Sequence, residues 1–215
     1  ARVALPGGCN IGHRPIDLHL KGLAALGADI SISNGCVTAS CNSLRGATID
    51  LTGPAGPTVT GTCNILMAAA LATGHSVILN AAREPEVQDL ATLLNNAGAQ
   101  ISGAGTSTIE IHGVSTLHTT THHIAPDRIE AGTFAIAALM TNGTLTLKNA
   151  PAHALTAFLD LLRHIGAHIT ENPGQNELVI HRSSLLRPAH VVALPWPGIP
   201  TDLQAQLMAL FACTP

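Results

Sequence analysis

The feature that most constrains the fold of this 215-residue chain is an internal repeat. The stretch NILMAAALATGHSVILNAA at 64–82 matches TFAIAALMTNGTLTLKNAP at 133–151 without a gap, at an offset of 69 residues. Two pairs of turn-forming residues coincide, Gly74 with Gly143 and Asn80 with Asn149. Each copy predicts an apolar helix, a stop at the glycine, a short strand and an Asn-containing turn.

A second pattern recurs in step with the first. An amphipathic segment ends at Gly-Ala and leads into a strand beginning with Ile, at 23–30, 93–101 and 161–169. Glycine after the last helical turn is a common helix stop, so each copy predicts a helix followed by a strand. A spacing near 70 residues is too long for a solenoid unit. The sequence therefore predicts an α/β fold in which a small module is used several times.

Composition excludes several classes of protein. The chain is 46% hydrophobic, but Gly, Thr, Asn and His interrupt its apolar runs before they reach the length of a membrane span. A formal net charge of −3 with only 10 Lys and Arg predicts no nucleic-acid partner. The five cysteines are an odd number without zinc-type spacing, and they predict reduced thiols in a reducing compartment. We therefore expect a cytoplasmic protein with neither nucleic-acid nor membrane partners.

A histidine-rich stretch raises the question of a metal site. His118, His122 and His123 lie close together in sequence, but no carboxylate or cysteine ligand stands at a supporting spacing. The stretch 115–123 instead predicts a solvated polar connector that ends before Pro126. We expect no metal site here.

The same connector suggests where one domain gives way to the next. Its Thr- and His-rich composition is typical of a linker. We place the boundary at about residue 125, so that residues 1–125 are part of a first domain and residues 126–215 part of a second.

The stretch LPGGCNIGHRPIDLH at 5–19 contains the first candidate for chemistry. Cys9 follows two glycines, which can leave a thiol exposed and mobile. Arg14, five residues later, can lower the pKa of that thiol and bind a phosphate through paired hydrogen bonds. From the residues alone, an ordinary turn with a small buried cysteine remains the alternative.

Asp202 is the second candidate. Thr201 and Asp202 precede an apolar helical segment at 203–213, so either side chain could be an N-cap. The two roles are compatible, because Thr201 could cap the helix while Asp202 faces a cleft. Glu84 and Glu86 flank a proline and predict the first turn of a helix rather than catalysis.

Four stretches occur in one order along nearly the whole chain: LPGGCNIGHRPIDLH at 5–19, NAAREPE at 80–86, PDRIEAGTF at 126–134 and PTDLQAQ at 200–206. Together they resemble the UDP-N-acetylglucosamine 1-carboxyvinyltransferase (UDP-GlcNAc enolpyruvyl transferase) family. Ile16 replaces the usual Val of that family, and His13 stands where a small residue is common. The resemblance implies repeated βαβαββ-type modules that form two domains around a cleft, an inside-out α/β barrel.

The resemblance also implies an activity. Enzymes of this family transfer the enolpyruvyl group of phosphoenolpyruvate to the 3′-hydroxyl of UDP-GlcNAc and release phosphate, the first committed step of peptidoglycan synthesis, without a cofactor. Cys9 would be the acid or a thiol linked to product release, Asp202 the base, and Arg14 the phosphate-binding cation. The nucleotide-sugar site would be lined by Arg14, Pro15, Ile16, Asp17, Leu18, Thr58, Val59 and Asp202.

One stretch departs from the family pattern. The family sequence Lys-Val-Ser-Val-Gly-Ala-Thr aligns with GPTVTGT at 56–62. Gly56 replaces the lysine and Thr60 replaces the glycine, whereas Thr58 keeps the serine hydroxyl. Backbone N–H groups at the helix start near Val59 could still bind phosphate, but loss of the cation predicts weaker nucleotide binding.

Two alternatives remain open. A related enolpyruvyl transferase could act on another acceptor such as shikimate 3-phosphate, although the Gly-Gly-Cys loop argues against it. A non-catalytic nucleotide-sugar-binding relative is supported by the altered stretch at 56–60. The resemblance further implies that roughly a quarter of the enzyme precedes Ala1 and another quarter follows Pro215, so we expect these 215 residues to be inactive alone.

Overall fold

The computed structural model describes residues 1–5, 15–54, 56–182 and 185–214. They form two compact units, Ala1–His123 and Ile124–Pro215, and each unit has its own apolar core. Whether these units are the domains of the intact protein stays a prediction. No helix in the described ranges has both the length and the hydrophobicity needed to cross a bilayer.

The first unit contains three helices and seven strands in its described residues. In chain order they are β1 (Arg2–Ala4), α1 (Asp17–Ala25), β2 (Asp29–Ser33), β3 (Cys36–Ser40), β4 (Thr48–Asp50), α2 (Val59–Ala70), β5 (His75–Leu79), α3 (Pro85–Asn96), β6 (Gln100–Ser102) and β7 (Thr108–His112). One sheet is antiparallel, with order β1-β3-β2. The other has order β4-β5-β7-β6 and is mixed, because β4 and β5 are parallel whereas the remaining pairs are antiparallel.

In its described residues the second unit contains three α-helices and one sheet. Its main elements are α4 (Arg128–Met140), β8 (Thr144–Lys148), α5 (Thr156–Ile165), β9 (Ala167–Asn172), β10 (Glu177–Arg182) and α6 (Gln204–Ala212). A 3₁₀ turn at Thr201–Leu203 leads into α6. The sheet is antiparallel with order β8-β10-β9.

The predicted repeat is confirmed in its helices and strands. Helix α2 and strand β5 align with α4 and β8 at the offset read from the sequence, and both strands begin and end at equivalent positions. The helices start before the matched segments, at equivalent polar N-caps. Thr58 accepts a hydrogen bond from the Gly61 N–H, and Asp127 accepts hydrogen bonds from the N–H groups of Ile129 and Glu130.

The turns of the two copies agree only in part. Asn80 and Asn149 both adopt left-handed backbone conformations, with φ of 54° and 55°. Gly74 is also left-handed, but in the second copy the left-handed residue is Asn142 rather than Gly143. The prediction of a glycine stop is therefore wrong in the second copy, because asparagine also tolerates this conformation.

The second sequence pattern is also confirmed. Helices α1, α3 and α5 are each followed by a left-handed glycine and then by β2, β6 or β9. The three glycines are Gly27, Gly98 and Gly166. Each strand begins one or two residues before the predicted isoleucine.

The sequence predicts a solvated connector between the units, but part of this connector contacts the first unit. The His118 backbone N–H donates to the Ala97 carbonyl at the end of α3, 2.9 Å away. His122 Nε2 lies 3.0 Å from Asp89 Oδ1 of α3, and its side chain is only 10% exposed. The prediction holds for the exposed His123 and is wrong for His122, which a carboxylate of α3 contacts.

Candidate functional site

Two of the predicted site residues, Cys9 and Arg14, lie outside the described residues. Their roles stay predictions. Apart from Leu5, the described part of the first motif starts at Pro15 and leads directly into α1.

The segment 15–18 is fixed where it enters α1. Ile16 is the N-cap residue of this helix and Asp17 is its first residue. Pro15 and Asp17 are exposed, whereas Leu18 is half-buried and packs against the core of the first unit. A Cβ atom on Gly53 would lie 2.9 Å from Leu18 Cδ1, so Leu18 fits closely against the loop after β4.

Thr58 and Val59 form the start of α2. Thr58 Oγ1 accepts from the Gly61 N–H at 3.1 Å, and the Thr58 carbonyl accepts from Thr62 Oγ1 at 2.7 Å. Thr62 Oγ1 in turn accepts from the Ala82 N–H at 3.0 Å. This chain of hydrogen bonds holds the beginning of α2 against the turn that follows β5.

His19 joins the two predicted binding segments. It lies in the first turn of α1 and is half-buried. Asn64 Nδ2 lies 2.7 Å from His19 Nδ1, and Thr60 Oγ1 lies 3.3 Å from His19 Nε2. Both partners belong to α2, so this imidazole links the segment 15–18 to the helix that starts at Thr58 and Val59.

The environment of His19 favours its neutral form. Burial lowers the pKa of the imidazole, and the nearby Asp17 carboxylate opposes this shift. A neutral imidazole has one acceptor and one donor nitrogen. Because the Asn64 amide nitrogen can only donate, Nδ1 is the acceptor, and Nε2–H is left to donate to Thr60 Oγ1.

A second polar cluster lies at the carboxyl ends of β4 and β5. Asp50 Oδ1 accepts from Thr52 Oγ1 at 2.6 Å, from the Thr52 N–H at 2.8 Å and from Asn80 Nδ2 at 2.9 Å. The Thr52 hydroxyl, Asn80 and the Thr52 N–H lower the pKa of Asp50 to about 2. Lys21 Nζ donates to the Asp50 carbonyl at 2.6 Å. This cluster joins α1 to the sheet.

Asp202 lies in the second unit, in the exposed 3₁₀ turn before α6. The N-cap positions of this turn and of α6 are Pro200 and Leu203, and neither makes a side-chain capping hydrogen bond. The interpretation of Thr201 or Asp202 as an N-cap is therefore wrong. The role of Asp202 as a base stays a prediction.

The structure describes four cysteines, two of them half-buried (Cys36 and Cys63) and two exposed (Cys41 and Cys213). Cys36, Cys41, Cys63 and Cys213 are all free thiols. Burial raises the pKa of the Cys63 thiol, and the carboxylates of Glu86 and Glu84 raise it further. Glu84 is the N-cap residue of α3 and Glu86 lies in its first turn, as predicted.

Within the part of the chain that the structure describes, no three His, Cys, Asp or Glu side chains form a potential metal site.

Sequence reasoning missed the contacts of His19, Thr60 and Asn64. His19 is the last residue of the first motif, and Thr60 departs from the family pattern. A hydroxyl and an amide spaced four residues apart lie on one face of a helix. That spacing was a usable signal for a partner side chain, but it did not identify which one.

Comparison with known proteins gives consistent matches. The family model described as EPSP synthase (3-phosphoshikimate 1-carboxyvinyltransferase) matches residues 1–213. UDP-N-acetylglucosamine 1-carboxyvinyltransferase 2 of Carboxydothermus hydrogenoformans is 50% identical over 215 residues, which are 100% of this chain and 51% of the relative. The corresponding enzyme of Methylacidiphilum infernorum is 51% identical over 98% of this chain and 49% of its own length. The chain thus spans about half the length of the curated relatives it matches.

Solved structures resemble the fold. The enolpyruvyl transferase NikO from Streptomyces tendae matches with a TM-score of 0.84 at 24% identity, over 100% of this chain and 51% of that one. EPSP synthase from Acinetobacter baumannii matches with a TM-score of 0.65 at 21% identity, over 99% of this chain and 48% of that one. These likenesses confirm the predicted α/β fold class.

Proposed function

This chain belongs to the EPSP synthase (3-phosphoshikimate 1-carboxyvinyltransferase) family, and on that premise we propose that the protein containing it is a UDP-GlcNAc enolpyruvyl transferase. The proposed reaction joins the enolpyruvyl group of phosphoenolpyruvate to the 3′-hydroxyl of UDP-GlcNAc and releases phosphate. The proposal includes the cytoplasmic location and the role in peptidoglycan synthesis expected from the sequence.

One observation carries the choice of acceptor. Relatives named UDP-N-acetylglucosamine 1-carboxyvinyltransferase are about 50% identical to this chain over nearly all of its length. The solved EPSP synthase structure is only 21% identical over a similar range. Sequence similarity therefore supports UDP-GlcNAc over shikimate 3-phosphate, even though both kinds of enzyme share the fold.

The reaction assigns a role to each predicted site residue. The sugar hydroxyl loses its proton to Asp202 and attacks C2 of phosphoenolpyruvate, while C3 gains a proton. The resulting tetrahedral intermediate loses phosphate and a proton to give the enolpyruvyl ether. Arg14 holds phosphate through charge-assisted hydrogen bonds, and Cys9 supplies a proton or assists product release.

The nucleotide-sugar site of this proposal includes the segment 15–18 and the start of α2. Asp17 is exposed on the first turn of α1, where its carboxylate can accept hydrogen bonds from uracil or ribose. Thr58 and Val59 begin a helix whose N-terminal N–H groups favour a phosphate. Gly56 offers no cation in place of the family's lysine, so we expect weaker nucleotide binding than the family pattern would give.

The test is release of inorganic phosphate from phosphoenolpyruvate by the full-length protein. We expect release with UDP-GlcNAc, and none without an acceptor or with shikimate 3-phosphate. Release with shikimate 3-phosphate alone would show the alternative acceptor. Release with neither, together with protection from heat by UDP-GlcNAc, would show a nucleotide-sugar-binding protein without this activity.

Variants in the same assay test the site residues. Cys9→Ser and Asp202→Asn should each lower kcat by at least about 100-fold, because a general acid or base contributes on that order. Cys63→Ser is the matched control and should keep full activity, since its half-buried thiol has a raised pKa. Full turnover by Cys9→Ser would mean that the glycine-rich loop is only a turn.

A further inference from the structure

We propose that His19 is a positioning residue for the nucleotide-sugar site and acts through Thr60 and Asn64. This inference rests on the proposed function. We call these three residues the His19 cluster. None of them is assigned to contact the ligand, and their effect is on the geometry of the residues that do.

The geometry of the cluster supports this role. His19 directly follows Leu18, the last residue of the first binding segment, and its ring lies 2.7 Å from Asn64 Nδ2 and 3.3 Å from Thr60 Oγ1. Thr60 directly follows Val59, the last residue of the second binding segment. The cluster is therefore the side-chain connection next to both segments, and it fixes the spacing between them.

Neighbouring contacts hold α1 close to α2 and to the loop after β4. One turn further along α1, a Cβ atom on Gly22 would lie 2.4 Å from Ile65 Cδ1, so α1 and α2 pack at close range there. Leu18, the residue before His19, packs closely against Gly53. Leu18, His19 and Gly22 thus each hold the first two turns of α1 in place. Of these three, His19 is the one that contacts α2 through polar groups.

Thr60 gives the cluster a particular importance in this chain. It stands where the resembled motif has glycine, which has no side chain to bond with His19, and it lies four residues after Gly56, where the motif has lysine. A site that has lost a cationic contact depends more on being ordered before the ligand binds, because ordering costs subtract from affinity. The contact of the Thr60 hydroxyl with His19 helps to order the site before the ligand binds.

The experiment measures the Kd of UDP-GlcNAc by calorimetry and the steady-state constants of the full-length protein. His19→Ala should raise the Kd and KM for UDP-GlcNAc about tenfold, the effect of one or two lost hydrogen bonds. It should leave kcat within about twofold and the KM for phosphoenolpyruvate unchanged. Thr60→Val, which keeps the branched shape and removes the hydroxyl, should raise the Kd about threefold.

Two further variants control for simple loss of structure. His19→Gln retains one donor and one acceptor, so it should restore most of the affinity lost in His19→Ala. Thr92→Val removes the hydroxyl of an exposed threonine on α3 that bonds only within its own helix, and it should change neither constant. In wild type, ¹⁵N NMR should show an imidazole signal with Nε2 protonated that is absent from His19→Gln.

The outcomes separate the two proposals. If wild type binds UDP-GlcNAc and His19→Ala binds it equally well, the positioning role is overturned and the proposed function stands. A fall in melting temperature with equal rises in both KM values would show a structural role only. If wild type neither binds nor turns over UDP-GlcNAc, the proposed function fails, and the positioning role falls with it.

Discussion

Asp50 illustrates at the residue scale how one side chain joins segments that are distant in sequence. Its carboxylate accepts three hydrogen bonds from Thr52 and Asn80, and Asn80 presents its amide from a left-handed turn after β5. These bonds stabilise the ionised carboxylate, which is why the pKa of Asp50 falls to about 2. Protonation of this carboxylate should therefore weaken the connection between β4 and β5.

This gives a pH-dependent prediction. Because the pKa of Asp50 is lowered from 3.8 to about 2 in the folded protein, its stabilising effect is complete above pH 3.8 and is lost as the pH falls towards 2. Asp50→Asn should thus lower the melting temperature at pH 7, and the difference from wild type should shrink between pH 4 and pH 2.5. Calorimetric melting at several pH values checks this.

The control is Asp29→Asn, which changes an exposed aspartate on β2. It should give a smaller difference from wild type at pH 7. A difference for Asp50→Asn that stays constant down to pH 2.5 would contradict the prediction.

At the scale of elements, the repeated helices α2 and α4 share a mode of N-terminal capping. Asp127 accepts hydrogen bonds from two N–H groups of the first turn, at 2.7 Å and 3.1 Å. Asp127→Ala should lower the free energy of unfolding by about 1 kcal/mol, the usual effect of losing such a cap. Asp127→Ser should lower it less, and urea denaturation measures both.

Asp202→Ala is the matched control for this prediction, because Asp202 precedes a helix without capping it. Its free energy of unfolding should stay within about 0.5 kcal/mol of wild type. An equal loss in Asp127→Ala and Asp202→Ala would mean that the observed capping bonds contribute little.

The elements also show how far the sequence predicts the fold. The repeats predicted α2, α4, β5 and β8, since apolar periodicity and turn residues are local signals. They did not predict β4, whose three residues are too few for a pattern and which is held by parallel pairing with β5. The sequence also did not predict the left-handed Asn142, because either residue of the Asn142-Gly143 pair can end the helix.

For the candidate site, local motifs point to individual residues but not to the contacts between them. The motifs single out Asp17, Thr58 and Asp202 as candidates, because each lies within a recognisable stretch of sequence, and their roles stay predictions. The contacts of His19 could not be predicted, because they depend on how α1 packs against α2. Side-chain pairs separated by more than 40 residues, such as His19 with Asn64, follow from tertiary packing rather than from local pattern.

For the molecule as a whole, the connector between the two units is attached to the first unit at two points. The contact between His122 and Asp89 and the bond from the His118 N–H to the Ala97 carbonyl attach this connector to α3 and to the residue that follows it. Beyond His122, Ile124 is 83% exposed and residues 123–127 are all exposed, with no regular secondary structure. We therefore expect the freely moving part of the connector to be short and to begin at His123.

Limited proteolysis tests this expectation with a pair of adjacent histidines. Thermolysin, which cuts before large aliphatic residues, should cleave the wild-type chain before Ile124 and spare the bond before the half-buried Leu117. His122→Ala removes the contact with Asp89 and should speed cleavage before Leu117 about fivefold, the effect of one lost hydrogen bond on a local opening equilibrium. His123→Ala changes an exposed side chain and should leave that rate unchanged. Mass spectrometry of the fragments measures both rates, and equal rates in the two variants would mean that His122 does not hold the connector on α3.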